Sequence, residues 1–389
     1  MSFLEALLFI SAVLDPFFKG YGGLNQFELQ LVQGWFLVCV LLFEVPTGVV
    51  ADLLGRKWSM MMGAFCTAAA CILYPLHTGV EWFLIAETVF GLGAALSSGA
   101  GGAWITDTLN QKGVKEQADY THIFARVEII GLVAIMIAAL IGSRVAIWFD
   151  ITYPVYLSAI SVFLAGCIAL FLKEPERGEA PAESRRFFGA MTEGVRYVFR
   201  HRELRKAAVN MMLLSMVSYF TIWFYQPMLN QLGIEIGWFG VFHSILILVE
   251  IGLAFGVSMF ERIIGRTLLA RLSALLIVLS MATTGILWLV KDMYGLGMVA
   301  VLLMLVGVGA VGFNRRMLLS AYVNEFSHSH NRATVNSAVS MIESLGVAAV
   351  NPLAGWLFMV SPALAILLLA GIGLIGVLMR VDWKNARPI

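Results

Sequence analysis

Apolar residues run through the chain of 389 residues in long blocks, which short clusters of charged residues, glycine and proline interrupt. Blocks of roughly 20 apolar residues have the length of a helix that crosses the hydrocarbon core of a bilayer. Turn and charge signals divide the chain into twelve such segments. The segments lie at about 2–21, 27–52, 58–76, 81–109, 123–148, 153–172, 206–229, 236–263, 268–290, 295–324, 332–358 and 362–380.

The pattern favours membrane helices over two other structures. A transmembrane β-barrel needs strict alternation of apolar and polar residues, whereas the stretch from Val299 to Val311 is apolar on every side. The first segment has no polar lead and no small-residue cleavage site, so it is interpreted as a helix and not as a signal peptide.

The longest polar interval divides the segments into two groups of six. It predicts an N-terminal bundle at 1–172, a cytoplasmic linker at 173–205 and a C-terminal bundle at 206–389. Within the linker, apolar residues recur at helical spacing and predict an amphipathic helix at the membrane surface. These residues are Phe188, Met191, Val195, Val198 and Phe199.

The two groups of segments also repeat each other. Asp15-Pro16 near the end of the first segment matches Gln226-Pro227 in the seventh, 211 residues later. The Gly55-Arg56 turn matches the Gly265-Arg266 turn at an offset of 210 residues. Repeats of this kind build the central path of many transporters between two bundles.

Composition agrees with this picture. Apolar residues make up 60% of the chain and charged residues 13%, against roughly 25% charged residues in soluble domains. The net charge of +1 gives no reason to expect nucleic-acid binding. Of the 26 basic residues, all but Lys19, Arg144 and Lys291 fall on one side if the N-terminus is cytoplasmic. The positive-inside rule therefore predicts a multi-pass protein of the inner (plasma) membrane with both termini in the cytoplasm.

The turn after the second segment carries a recognisable motif. It reads Gly48-Val-Val-Ala-Asp52-Leu-Leu-Gly55-Arg56-Lys57 and resembles the G-xxx-D-xx-G-R-K signature of the major facilitator superfamily. A weaker echo follows at Glu261-Arg262-Ile-Ile-Gly265-Arg266. The resemblance extends over the whole chain and is to bacterial and archaeal transporters, the drug-efflux-like branch among them. It implies an all-α fold of twelve transmembrane helices in two pseudo-symmetric six-helix bundles.

The resemblance also implies a gate at the cytoplasmic side. In the family the carboxylate that corresponds to Asp52 faces the start of the eleventh helix, which places it near Arg332 here. Asp107 and Arg126 are positioned to join it. Gly48 is expected to permit close helix contact and Gly55 a tight turn, while Arg56 and Lys57 stay at the headgroups. The alternative is that these charges only set the topology.

Two departures weigh against the drug-antiporter branch. Glu87 stands where proton-coupled members often carry the arginine of an R-xxx-G motif in the fourth helix, with Gly91 as its glycine. The fifth segment has Gly131 and Gly142 but no proline between them, unlike the G-P-xx-G-G motif of drug antiporters.

Charges within the apolar segments are the main functional candidates, because an ionisable group at membrane depth is costly unless it faces protein or water. The candidates for substrate or proton coupling are Asp15, Glu44, Glu87, Glu128, Glu250, Arg315 and Glu343. Polar stripes at helical spacing accompany several of them. These stripes are Gln30, Gln33 and Glu44; Asn336, Ser340 and Glu343; His243 and Glu250; and Ser218, Thr221 and Tyr225. The further candidates for a cavity wall are Tyr219 and Trp223.

Each candidate also has a structural interpretation. Asp15 is four residues before Lys19 and could pair with it, and Glu44 could satisfy backbone groups freed by Pro46. Arg315 and Arg316 project about 100° apart, so at most one of them points straight into a cavity. The aromatic residues around Tyr219 and Trp223 could serve helix packing.

These features lead to a hypothesis of function. The protein is expected to be a monomeric secondary transporter that works by alternating access, with proton-coupled export of small amphipathic or cationic compounds as the first interpretation. Proton-coupled uptake of a small organic anion or other solute is the alternative, and a non-transporting receptor or scaffold is the third. No enzyme motif, metal site or cofactor is predicted, and the proton gradient is the expected energy source.

Overall fold

In a computed structural model, the described residues are 1–114, 117–175, 187–293, 295–323, 332–379 and 381, and they form helices joined by short turns, with no β-strand among them. The helices are α1 (Ser2–Ala6), α2 (Leu14–Pro16), α3 (Gln26–Leu54), α4 (Arg56–Leu73), α5 (Val80–Gln111), α6 (Gln117–Trp148), α7 (Tyr153–Phe171), α8 (Phe187–Arg200), α9 (Arg202–Gln231), α10 (Phe239–Ile264), α11 (Arg266–Leu289), α12 (Leu296–Leu303), α13 (Val311–Val323), α14 (Arg332–Val360) and α15 (Pro362–Leu378).

Nine helical stretches in the described part of the chain are long and apolar enough to cross a membrane. They coincide with nine of the twelve predicted segments. The other three segments correspond to the broken helix at the N-terminus, to α4 and to α15, which has 17 residues. The all-helical membrane fold is confirmed, and the count of twelve crossings remains a prediction for these three segments.

The first segment differs most from its prediction as one helix over 2–21. It breaks into α1, a 3₁₀ turn at Phe9–Val13, α2 and a π-helical turn at Phe17–Tyr21. Pro16 accounts for the break at Val13, because proline lacks an N–H donor and its ring clashes with the carbonyl of the preceding turn. The earlier break at Leu7 and Leu8 lies beyond the reach of this effect. The buried Asp15 carboxylate lies 2.7 Å from Lys19 Nζ, as its i, i+4 spacing allowed.

A second π-helical stretch separates α12 from α13. It covers Met304–Ala310 and lies inside the long apolar run of the tenth predicted segment. Its glycines allow close approach, since a Cβ on Gly307 would lie 2.3 Å from Ser280 Oγ. Gly93 in α5 is packed in the same way, with its Cβ position 2.4 Å from Thr67 Oγ1 and 2.8 Å from the Gly63 carbonyl oxygen. These glycines therefore serve close packing between helices.

The chain forms two compact units. Unit 1 consists of Met1–Asn25, Val32–Phe187 and Ile236–Gly240, and unit 2 of Gln26–Leu31, Phe188–Glu235 and Val241–Ile389. Residues of α8 belong to the hydrophobic core of unit 2, where Val198 is fully buried among residues of α9, α13 and α14. The side chains of Phe188 and Met191, which the amphipathic pattern included, lie outside the described residues.

Candidate functional site

The signature turn lies in unit 1, between α3 and α4. Gly55 has a φ of 121°, which non-glycine residues rarely adopt, and this explains the glycine at that place. Directly after it, the backbone N–H groups of Arg56 and Lys57 donate to the Glu174 carboxylate, each over 2.9 Å. A carboxylate at a helix N-terminus satisfies free N–H groups and is favoured by the helix dipole. Glu174 therefore fixes the start of α4.

Side-chain contacts extend this arrangement. Arg56 forms an ion pair with Asp107 and donates to the Ala103 carbonyl. Lys57 Nζ donates to the Leu170 carbonyl over 2.6 Å. Arg56 and Asp107 are each about a quarter exposed, so the pair lies at the edge of the unit.

Other members of the predicted gate are placed differently. Asp52 is exposed at the end of α3, and Arg126 is exposed in α6 without a hydrogen bond or ion pair to any described residue. The Arg332 side chain lies outside the described residues. A Cβ on Gly48 would meet no described atom within 4 Å, so its expected role in close helix contact stays a prediction.

Glu87 lies in the interior of unit 1. Its carboxylate accepts a hydrogen bond from Gln33 Nε2 over 2.8 Å and another from the Tyr74 hydroxyl. All three side chains are buried. Tyr74 packs against Phe18 and other aromatic rings. Glu87 is therefore held by neutral donors in an apolar and aromatic surrounding, not by a cation among the described residues.

Glu343 lies in the interior of unit 2, on α14. One of its oxygens accepts a hydrogen bond from Ser215 Oγ on α9, and the other pairs with Arg316 Nε on α13, both over 3.0 Å. The Glu343 side chain is 5% exposed and that of Arg316 is 51% exposed. The carboxylate is thus buried and paired with a guanidinium that reaches the surface of the unit.

Arg315 extends the cluster. It is buried, its Nη2 donates to Asn210 Oδ1 over 2.6 Å, and it interacts electrostatically with Glu343. Asn210 Nδ2 in turn donates to the Gly376 carbonyl over 2.7 Å. The Arg315 Nε has no hydrogen-bond partner among the described residues. Five polar side chains, which we call the α14 cluster, thus connect α9, α13, α14 and α15: Asn210, Ser215, Arg315, Arg316 and Glu343.

A small cavity borders this cluster. Its volume is about 40 Å³, which corresponds to a few water molecules and not to a whole organic substrate. Its lining residues are Met211, Ser320, Val323, Asn336, Val339, Ser340 and Glu343. The polar stripe predicted for the eleventh segment, Asn336, Ser340 and Glu343, therefore faces one space.

Three further candidates, Tyr225, His243 and Glu250, are buried residues of unit 2. His243 Nδ1 lies 2.9 Å from the Tyr225 hydroxyl, which accepts from Gln226 Nε2 over 3.0 Å. Both Tyr225 and His243 are buried. Glu250 is buried on α10, and its backbone carbonyl accepts from Asn314 Nδ2 over 2.9 Å.

The aromatic candidates and two acids complete the set. Tyr219 is half-buried, with its hydroxyl 3.5 Å from Asn351 Nδ2, and Trp223 is buried. Glu44 is half-buried in α3 and Glu128 is exposed on α6. Neither Glu44 nor Glu128 therefore belongs to the α14 cluster or to the group formed by Glu87, Gln33 and Tyr74.

Sequence reasoning missed Asn210, Ser215, Tyr74 and Glu174. A signal existed for Asn210, because eleven residues separate it from Thr221 and place the two within about 20° at 100° per residue. The polar stripe of the seventh segment could therefore have been extended backwards. Glu174 and Tyr74 carry no comparable signal, since their partners come from other helices.

The sequence profile of the Major Facilitator Superfamily matches residues 2–350. The chain belongs to the major facilitator superfamily. It is therefore a multi-pass membrane protein of a transporter family and not an enzyme. Among curated proteins, a segment of 161 residues is 25% identical to an uncharacterized MFS-type transporter of Methanocaldococcus jannaschii. That match spans 41% of this chain and 40% of the relative.

Solved structures of the superfamily have the same fold. The nucleoside transporter NupG is similar with a TM-score of 0.77 and 14% identity, over 97% of this chain and 95% of that one. A D-xylose-proton symporter is similar with a TM-score of 0.74 and 15% identity, over 100% and 96% of the two chains. At this identity the likeness shows the fold alone. The superfamily membership and this fold agree with the resemblance that the signature turn carried.

Proposed function

We propose that the protein takes up a small polar solute together with protons. The observation that carries the proposal is the α14 cluster, in which a buried carboxylate pairs with a guanidinium and borders a small cavity. Protonation of Glu343 would remove the negative charge that holds Arg316. The proton and the arrangement of the cluster would thus be linked, as coupling requires.

The pairing of the acids favours uptake over the export of cations. The export hypothesis rested on an excess of carboxylates that could bind an organic cation. In the described structure, Glu343 pairs with Arg316 and Asp15 with Lys19, while Glu87 is held by neutral donors. The names of two similar structures, a nucleoside transporter and a D-xylose-proton symporter, also favour a polar solute.

One observation favours an anionic solute as a second candidate. Arg315 is buried, its acidic neighbour Glu343 also pairs with Arg316, and its Nε lacks a hydrogen-bond partner among the described residues. A carboxylate on the solute would supply the missing acceptor. The variant Arg315→Gln distinguishes the candidates, because it should abolish transport of an anion and reduce transport of a neutral solute much less.

The test uses the purified protein in liposomes with an acidic exterior and a panel of nucleosides, sugars, monocarboxylates and organic cations. Accumulation of a neutral or anionic solute that collapses when the proton gradient is dissipated is the expected result. Glu343→Gln should lower this accumulation at least tenfold and preserve exchange of labelled for unlabelled solute across the membrane. The matched control is Glu203→Gln, which removes an acid paired with Lys206 at the start of α9.

Three outcomes would contradict the proposal. Expulsion of organic cations against a proton gradient would restore the export hypothesis. Loss of coupling in Glu87→Gln but not in Glu343→Gln would move the proton site to unit 1. Specific binding without flux of any solute would favour a receptor.

A further inference from the structure

The described part of α8 has one face that packs on unit 2. Gly194 and Val198 are buried and lie about 40° apart on the helix. A Cβ on Gly194 would lie 2.7 Å from Thr334 Cγ2 and 2.9 Å from the Thr334 carbonyl oxygen. Val198 is fully buried in the core that includes Val335 and Ala338. The linker helix therefore rests directly on the first turns of α14.

The opposite face of α8 is basic. Arg196 and Arg200 project roughly 200° and 240° from Gly194, and both are exposed. Arg202, the first residue of α9, is also exposed, and Phe199 between Arg196 and Arg200 in sequence is 46% exposed. None of these three arginines has a hydrogen bond or ion pair with a described residue.

The acidic residues nearby do not neutralise this face, which we call the basic face (Arg196, Phe199, Arg200 and Arg202). Glu203 is paired with Lys206 over 2.6 Å. Glu193 is the other described acid of this stretch. It is exposed and projects about 260° from Gly194, beside Arg196 and Arg200, so it offsets one positive charge and leaves the face net basic. The stretch also leads straight into α9, which is long and apolar enough to cross the membrane. At this end of a membrane-spanning helix, its arginines are expected at the level of the lipid headgroups.

We propose that the basic face binds the phosphate groups of anionic phospholipids and thereby steadies the start of α14. Guanidinium groups bind phosphate oxygens in a bidentate manner, and an exposed phenylalanine beside them inserts at the boundary of headgroups and acyl chains. Each basic residue near an anionic surface strengthens the attraction about fivefold, so the three arginines together contribute on the order of a hundredfold.

The position of the basic face gives this binding a consequence for the α14 cluster. Thr334, which contacts Gly194, is in the same helix as Asn336, Ser340 and Glu343, which border the cavity. Nine residues separate Thr334 from Glu343, about 14 Å along the helix axis. An effect of lipid on transport rests on the proposed function, whereas the binding of lipid by the basic face does not.

The experiment measures thermal unfolding of the purified full chain in detergent micelles with added phosphatidylglycerol or phosphatidylcholine. Phosphatidylglycerol should raise the Tm by roughly 2–4 °C above the value in phosphatidylcholine. The triple variant Arg196→Gln, Arg200→Gln, Arg202→Gln should lose this difference. The matched control Lys112→Gln, Lys173→Gln, Arg271→Gln removes three exposed charges elsewhere and should keep it.

Hydrogen exchange of the peptide over 332–345 provides the second readout. Phosphatidylglycerol should slow its exchange in the wild type and in the control variant but not in the triple variant of α8. An equal Tm rise in the triple variant, or an equal rise with inorganic phosphate in place of lipid, would overturn the proposal. Both readouts are independent of transport, so their failure is distinguishable from failure of the proposed uptake.

Discussion

Glu87 in unit 1 and Glu343 in unit 2 are both buried acids on long apolar helices, but their partners differ in kind. Glu87 is held by an amide and a phenol, whereas Glu343 is held by a hydroxyl and a guanidinium. Neutral donors satisfy a carboxyl group whether or not it carries charge. A guanidinium instead responds to the charge itself, since it loses its counter-charge when the acid is neutralised.

We therefore expect the free energy of unfolding to respond differently at the two acids when hydrogen bonding and charge are removed separately. A glutamine in place of the acid keeps an acceptor oxygen and removes the charge. A leucine removes both.

The largest effect is expected from Glu87→Leu. Two buried donors, Gln33 Nε2 and the Tyr74 hydroxyl, would lose their acceptor, at a cost of about 3 kcal/mol in the free energy of unfolding. Glu87→Gln should cost under about 1 kcal/mol, because its amide oxygen still accepts a hydrogen bond. Reversible unfolding in detergent measures both values. Equal losses in the two variants would mean that the charge of Glu87 matters after all.

The next effect concerns Glu343→Gln. Arg315 and Arg316 would both lose a negative neighbour, and we expect a loss of about 2 kcal/mol, moderated because the Arg316 side chain is half exposed. The same unfolding measurement applies. A loss as small as that of Glu87→Gln would remove the distinction between the two acids.

A smaller effect tests how the neutral network is supported. In Gly93→Ala the new Cβ would come within 2.4 Å of Thr67 Oγ1 and push α4 away from α5, which also displaces Tyr74 from Glu87. We expect a loss of about 1–2 kcal/mol. The control is Gly99→Ala in the same helix, which meets no described atom within 4 Å and should be neutral or stabilising by up to about 1 kcal/mol. Similar losses in both variants would exclude close packing as the cause.

The smallest effect is expected at the edge of unit 1. Asp107→Asn removes the ion pair with Arg56, in which both side chains are about a quarter exposed. Water competes for such a pair, so stability should fall by less than about 1 kcal/mol. A loss comparable to that of Glu343→Gln would show that the pair is more than a partly solvated contact.

The sequence predicted the helical segments well because spans of apolar residues and turn signals are local features. The broken first segment is the exception, because proline can either kink a helix or break it, and Asp15-Pro16 alone does not say which. The signature turn could also be predicted from the sequence, because the positive φ at Gly55 is a local requirement that glycine meets.

The partners of the candidate residues were harder to predict. Glu343 was identified from its depth and from its stripe with Asn336 and Ser340, but its pairing with Arg316 depends on which faces of α13 and α14 meet. Sequence spacing showed only that Arg315 and Arg316 diverge. In the structure the buried one contacts Asn210 and the exposed one reaches Glu343. Such information lies in packing between helices and not in the period of any one of them.

The π-helical stretch at Met304–Ala310 helps to determine the direction in which the Arg315 side chain projects. The wide turns place extra residues between α12 and α13, so the direction of every side chain in α13 depends on how many residues the stretch contains. Loss of a single residue there would turn α13 by about 100° relative to α12. Arg316 would then occupy the direction that Arg315 now has. The buried guanidinium is thus specified by a residue count roughly one to three turns upstream. A deletion of one residue there would give Arg316 the direction of Arg315, and Arg315 that of Asn314, without substituting either.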